Sequence, residues 1–139
     1  MIVQIVLVIV IAVQVNSEEL CPSVCYCYGK SATCRGLFSD VTNMTQKTFQ
    51  SAFTSLHVIG RTRLDLEDDL FLRWKITSLT YLYLSRNNIT KIWQRAFYSL
   101  ADLEVLDLSG NSITTLHSPA FFYNIGLLRL SLAQINISN

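Results

Sequence analysis

LTYLYLSRNNI (residues 79–89) and LEVLDLSGNSI (residues 103–113) are one pattern written twice, 24 residues apart. Leu79, Leu82, Leu84, Asn87 and Ile89 in the first copy answer to Leu103, Leu106, Leu108, Asn111 and Ile113 in the second. The correspondence runs past the quoted stretch, since Ile92, Ala96 and Phe97 return as Leu116, Ala120 and Phe121. A fixed period of this length marks a repeat architecture, in which each unit needs its neighbours to bury its apolar side.

Alternation fixes the local structure of a unit. A short strand from Tyr81 to Ser85 points Leu82 and Leu84 inward and Tyr81, Tyr83 and Ser85 outward, following the two-residue period of a strand. Asn87 and Asn111 must then turn the chain off the strand. The lettering LxxLxLxxNxI is identified as a leucine-rich repeat. That resemblance implies buried Asn amides bonded to backbone groups at the turn, where each unsatisfied group would cost about 1–3 kcal/mol. It also implies stacking into a curved solenoid with a parallel sheet along the concave side. The expected fold class is α/β, a leucine-rich repeat solenoid with a short parallel concave sheet, an irregular convex side and a disulfide-bonded N-terminal cap.

Composition narrows the function. Eleven Lys plus Arg against ten Asp plus Glu leave a formal net charge of +1. That balance argues against a nucleic-acid binder or a polybasic membrane-surface protein, which need a concentrated positive field. Two prolines and five glycines among 139 residues argue against a disordered or collagen-like chain.

Residues 1–17, MIVQIVLVIVIAVQVNS, carry no charged side chain and hold an apolar run from Ile5 to Val13. With Val15 and Ser17 at the small-residue positions, the stretch reads as a secretory signal peptide cleaved after Ser17. It is short of the roughly 20 apolar residues a transmembrane helix needs, and no second apolar span follows. The remainder divides into a cysteine cap with its flank over residues 18–52 and about three to four repeats over residues 53–139, the last incomplete.

All four cysteines, Cys21, Cys25, Cys27 and Cys34, fall in a stretch of 14 residues directly after the signal peptide. An even count in an oxidising compartment reads as two disulfides, with a zinc site as the lesser alternative for clustered thiols. Of three possible pairings, Cys25 with Cys27 is disfavoured at two residues' separation, and the spacing leaves the other two open. The arrangement resembles the N-terminal cysteine cap of extracellular leucine-rich repeat proteins such as the Slit-like, Nogo-receptor-like and small-proteoglycan families. The resemblance implies Cys21 with Cys27 and Cys25 with Cys34, closing the apolar end of the first coil.

Between cap and repeats, Gly36 to Phe38 are expected to start the cap-edge strand, with Phe49 and Phe53 packing inward. A degenerate unit follows at a spacing of 26, aligning Leu56, Val58, Leu66 and Phe71 with Leu82, Leu84, Ile92 and Phe97 and putting Arg61 at the Asn position. The second regular unit carries one irregularity, Asn124 where Leu100 predicts an apolar residue, with Ile125 as its expected substitute. A partial unit, LLRLSLAQINI, keeps Leu127, Leu130, Leu132 and Ile137 but puts Ile135 at the Asn position. Terminal repeats need a polar cap, and no cysteine follows Cys34. The expectation is a longer ectodomain or, failing that, self-association through Leu130, Leu132, Ile135 and Ile137.

The outward columns define the candidate surface. Ser55, Tyr81, Val105 and Arg129 form one, His57, Tyr83, Asp107 and Ser131 the next, and Ile59, Ser85, Ser109 and Ala133 the third. His57, Tyr81, Tyr83, Asp107 and Arg129 are the expected ligand-binding residues, since Tyr and Arg are enriched in interface hot spots. The competing reading makes Tyr83 a structural bridge between His57 and Asp107. Asn43, Asn88 and Asn136 open Asn-x-Ser/Thr sequons and are glycosylation acceptors where exposed.

No chemistry of the chain's own is expected. The acidic run Asp65 to Asp69 fails as a calcium loop, with Leu70 where Gly is needed and Ile76 where Glu is needed, and reads as a solvated cluster offset by Arg61 and Arg63. Catalytic serine, zinc-protease and phosphate-loop motifs are missing, and His57 and His117 belong to different coils. Neither cofactor nor metal is expected. The reading is a non-catalytic, extracellular protein-binding module that uses its concave face toward a protein ligand or co-receptor, as part of a receptor or secreted protein. The alternative is a structural matrix protein resembling the small proteoglycans.

Overall fold

The computed structural model of the protein describes residues 25–35, 53–60 and 64–135. Each unit is one coil of a solenoid. The strands are β1 (Cys25–Tyr28), β2 (Ser31–Arg35), β3 (Ser55–Ile59), β4 (Leu64–Leu66), β5 (Tyr81–Tyr83), β6 (Ile89–Ile92), β7 (Val105–Asp107), β8 (Thr115–Leu116) and β9 (Arg129–Ser131), with a one-turn helix α1 (Leu70–Arg73). Among the described residues, six strands form one sheet in the order β1-β2-β3-β5-β7-β9, parallel from β2 onward. The strand of the first regular unit covers Tyr81–Tyr83, two residues short of Ser85, while the N–H groups of Leu84 and Arg86 still bond the next coil at the Asp107 and Ser109 carbonyls.

Period and packing agree. Leu56, Leu82, Leu106 and Leu130 stand opposite one another across β3, β5, β7 and β9. Leu82, Leu84, Leu106 and Leu108 are fully buried, each stabilising the fold by about 1.5–3 kcal/mol relative to exposure. Behind them Phe71, Phe97 and Phe121 stack in file, with centroids 6.0 and 5.6 Å apart. The spacing of 26 thus aligns the degenerate coil correctly, and Leu66 also pairs with Ile92.

The two asparagines close the turns. Asn111 Nδ2 donates to the carbonyls of Leu84 and Leu108, both at 2.8 Å, while its Oδ1 accepts from the N–H groups of Asn87 and Ile89 at 2.9 and 3.0 Å. Asn87 repeats the donor half toward Val58 and Ser85 at 2.8 and 3.2 Å. One amide thereby serves the turn of its own coil and that of the coil before. Nearby, Arg86, Gly110 and Gln134 all take left-handed φ angles of 57°, 67° and 58°, one per coil. A Cβ on Gly110 would meet Arg86 Cγ at 2.9 Å, so the side chain of the preceding coil occupies the room a larger residue would need.

The return side is more ordered than the expected irregular arm. β4, β6 and β8 pair in parallel as a second, three-stranded sheet among the described residues. The acidic run is tied to the rest of the protein. The Thr90 hydroxyl donates to Asp65, Arg73 pairs with Glu67 at 2.9 Å, and Arg95 reaches Asp68 through its N–H and Asp69 through its guanidinium. The offset expected from Arg61 and Arg63 lies outside the described residues.

Sheet pairing places the cap strand elsewhere than the sequence suggested. β2 at Ser31–Arg35 is the strand that pairs with β3, ahead of Gly36 to Phe38. β1 and β2 form a hairpin around Gly29, whose φ of 57° suits a tight two-residue turn. Cys25 and Cys34 face each other across that hairpin and form a disulfide. Cys27 is also disulfide-bonded, and its expected partner Cys21 lies outside the described residues. So do the expected signal peptide, Gly36 to Phe38, Asn43, Phe49, Arg61, Asn136 and Ile137, while Phe53 is buried. Among the described residues no helix is long and apolar enough to cross a membrane.

Asn124 is the clearest departure from the sequence reading. It is buried and donates from Nδ2 to the carbonyls of Phe97 and Leu100 at 3.0 and 2.7 Å, closing the return arm of the preceding coil. Ile125 does not substitute for Leu100, being 95 % exposed.

Candidate functional site

Parallel pairing in register places every outward residue beside its counterpart in the next coil. Ser55, Tyr81, Val105 and Arg129 align in one column, and His57, Tyr83, Asp107 and Ser131 in the next. The cap strand extends both columns, with Ser31 beside Ser55 and Thr33 beside His57. The concave surface therefore starts inside the cap, and the Tyr28-Gly29-Lys30-Ser31 turn was the sequence signal for it.

His57, Tyr83 and Asp107, together with Ser31, Ser55 and Ser85, line a hollow of about 430 Å³. The His57 and Tyr83 rings meet edge to face, with centroids 4.1 Å apart. Tyr81 is exposed in the neighbouring column, and Arg129, also exposed, stands beyond Val105. Of the five expected residues, three border the hollow and two flank it.

Asp107 stands opposite Tyr83 across the strands but makes its hydrogen bonds locally. Its Oδ1 accepts from the N–H and hydroxyl of Ser109, at 2.9 and 2.6 Å, the short local closure that an Asp makes two residues ahead. Among the described residues no hydrogen bond joins Tyr83 to Asp107, and the ion pairs there engage Glu67 and Asp69.

A second aromatic group lies on the return side. Trp93 stacks on His117 at 5.9 Å, while Tyr98 meets Tyr123 edge to face at 4.7 Å and Arg95 covers the Tyr98 ring at the same distance. Phe122 adjoins Tyr123 and is 72 % exposed. Trp93 with His117 and Tyr98 with Tyr123 are paired from one coil to the next, and all of these rings keep exposed surface. His57 lies in the six-stranded sheet and His117 just after β8 of the three-stranded one.

Asn88 is exposed, with its Oδ1 accepting from the Ser112 hydroxyl at 3.1 Å. Its amide nitrogen, the atom that a glycan joins, makes no hydrogen bond among the described residues.

Comparison with known proteins agrees with the architecture. Residues 77–137 match the family model described as Leucine rich repeat, a span that holds both regular units and most of the partial one. No curated protein matches the chain.

Proposed function

We propose that this leucine-rich repeat protein is an extracellular protein-binding module whose concave face, around His57, Tyr81, Tyr83, Asp107 and Arg129, receives a protein ligand. The observation that carries the reading is the in-register concave column of His57, Tyr83 and Asp107 around a hollow of about 430 Å³. Two Tyr rings supply large, stiff contact area, and the surrounding serines supply exchangeable hydrogen bonds, a combination suited to protein recognition. The surface consists of parallel-strand side chains on a scaffold with a buried core, so little ordering cost accompanies binding.

Tyr81→Ala with Tyr83→Ala is expected to weaken binding to a partner recovered from an array of extracellular proteins by at least about tenfold, with an unchanged melting transition. Retained affinity in the double variant would remove the concave face from consideration.

An extracellular setting accounts for the clustered, disulfide-bonded cysteines and for the apolar N-terminal stretch. Asn88 is then a glycan acceptor, as Asn43 and Asn136 are proposed to be. Protein collected from the medium of expressing cells is expected to lose mass on enzymatic deglycosylation, and Asn88→Gln to remove one glycan's increment. An unchanged mass in the Asn88 variant would show that this sequon is not used.

A further inference from the structure

We propose that Asp107 is the docking point for a cationic side chain, Lys or Arg, carried by the protein ligand. This rests on the concave-face reading and specifies what the hollow accepts.

Among the acidic side chains of the described residues, Asp102, Glu104 and Asp107 take no ion pair, and of these three Asp107 borders the hollow. Asp65, Glu67, Asp68 and Asp69 on the return side all take hydrogen bonds or ion pairs from other parts of the chain. Asp107 is half-buried, borders the hollow, and meets no cation. Only Oδ1 is engaged, by Ser109, and that contact fixes the carboxylate's orientation while Oδ2 makes no hydrogen bond among the described residues. A carboxylate partly withdrawn from water and held in one orientation is a prepared acceptor for a charge-assisted hydrogen bond.

The other walls suit the same guest. Tyr83 is Asp107's neighbour in the column and meets His57 edge to face, so a cation reaching the carboxylate passes aromatic surface, which attracts positive charge. Ser31, Ser55 and Ser85 offer hydroxyl oxygens to the remaining N–H groups of an ammonium or guanidinium. Among the described residues no Lys or Arg borders the hollow, and Arg129 stands outside it beside Val105. At about 430 Å³ the space admits a long side chain together with part of the loop that carries it.

Asp107 also has a purely local role, closing the turn toward Ser109, and one substitution separates the two. Asp107→Asn keeps a side-chain oxygen for the Ser109 N–H and nearly the same volume, but removes the charge. The probe is a displayed library of random cyclic peptides, selected on the whole protein and filtered for loss of binding to the Tyr81→Ala, Tyr83→Ala variant. The recovered peptides are expected to share a Lys or Arg at one position. Asp107→Asn should weaken them by about tenfold to a hundredfold with an unchanged melting transition. Replacing the shared Lys or Arg with an uncharged analogue should cost a similar factor on the native protein and little further on Asp107→Asn, the signature of a direct pair. Peptides that need the two Tyr residues but bind Asp107→Asn as tightly as the native protein would overturn the cation docking and leave the concave reading standing. A selection yielding no peptide sensitive to the Tyr pair would overturn both.

Discussion

Asn111→Ala is expected to lower the unfolding free energy by about 3–5 kcal/mol, a large fraction of what a small domain possesses. The substitution orphans four backbone groups at once: the carbonyls of Leu84 and Leu108 and the N–H groups of Asn87 and Ile89. Asn111 is 3 % exposed, so water does not reach these groups without opening the coil. Each orphaned group costs about 1–3 kcal/mol, and partial relaxation keeps the total below the sum. Three of the four, all but the Leu108 carbonyl, belong to the preceding coil, which makes the damage cooperative between units. Asn111→Asp keeps the acceptor and loses both donors while burying a charge, and should be no better tolerated. Ser112→Ala, one residue along on the exposed side, loses one surface hydrogen bond and should change stability by less than about 0.5 kcal/mol. Chemical unfolding of the three variants checks the set, and a loss below about 1 kcal/mol for Asn111→Ala would contradict it.

Phe97→Ala is expected to cost about 3–5 kcal/mol, through lost transfer energy and the cavity left in the middle of the stacked file. Phe97 has no exposed surface and lies between Phe71 at 6.0 Å and Phe121 at 5.6 Å, nearly parallel to both. Because a solenoid coil touches only its neighbours, this ring is a main coupling between one unit and the next. Phe121→Ala should cost less, since Phe121 is only half-buried. Thermal unfolding should therefore order the pair with Phe97 the more damaging, and equal effects would show that the file does not carry the coupling.

Much of this was legible because a fixed period leaves little freedom. Once Leu82 aligns with Leu106, every neighbour in the column follows, and the observed pairs Tyr81 with Val105 and Val105 with Arg129 are those the spacing dictates. The Asn87 and Asn111 turns follow for the same reason. Asn124 was misread because an apolar column makes a polar residue look like a fault. Its purpose, satisfying the carbonyls of Phe97 and Leu100, belongs to a neighbouring coil that sequence does not display. The cap strand was placed too late because Gly36 to Phe38 contain large apolar residues. β2 turns only Ala32 and Cys34 inward, and small side chains give little periodic signal. The second sheet escaped notice because strands of two to four residues are too short to show alternation. Asp107 stands opposite Tyr83 across the strands as the period dictates, while its hydrogen bonds go to Ser109 two residues away.

Hydroxyl-radical footprinting of the protein, free and bound to its recovered partner, tests the central claim most directly, because exposed aromatic rings report on both sides of the solenoid. Concave binding predicts slower oxidation of His57, Tyr81 and Tyr83 in the complex, with Trp93, Tyr98, Phe122 and Tyr123 on the return side reacting as before. Protection of the return-side rings, with the concave three unchanged, would contradict the assignment and move the binding surface to the opposite face.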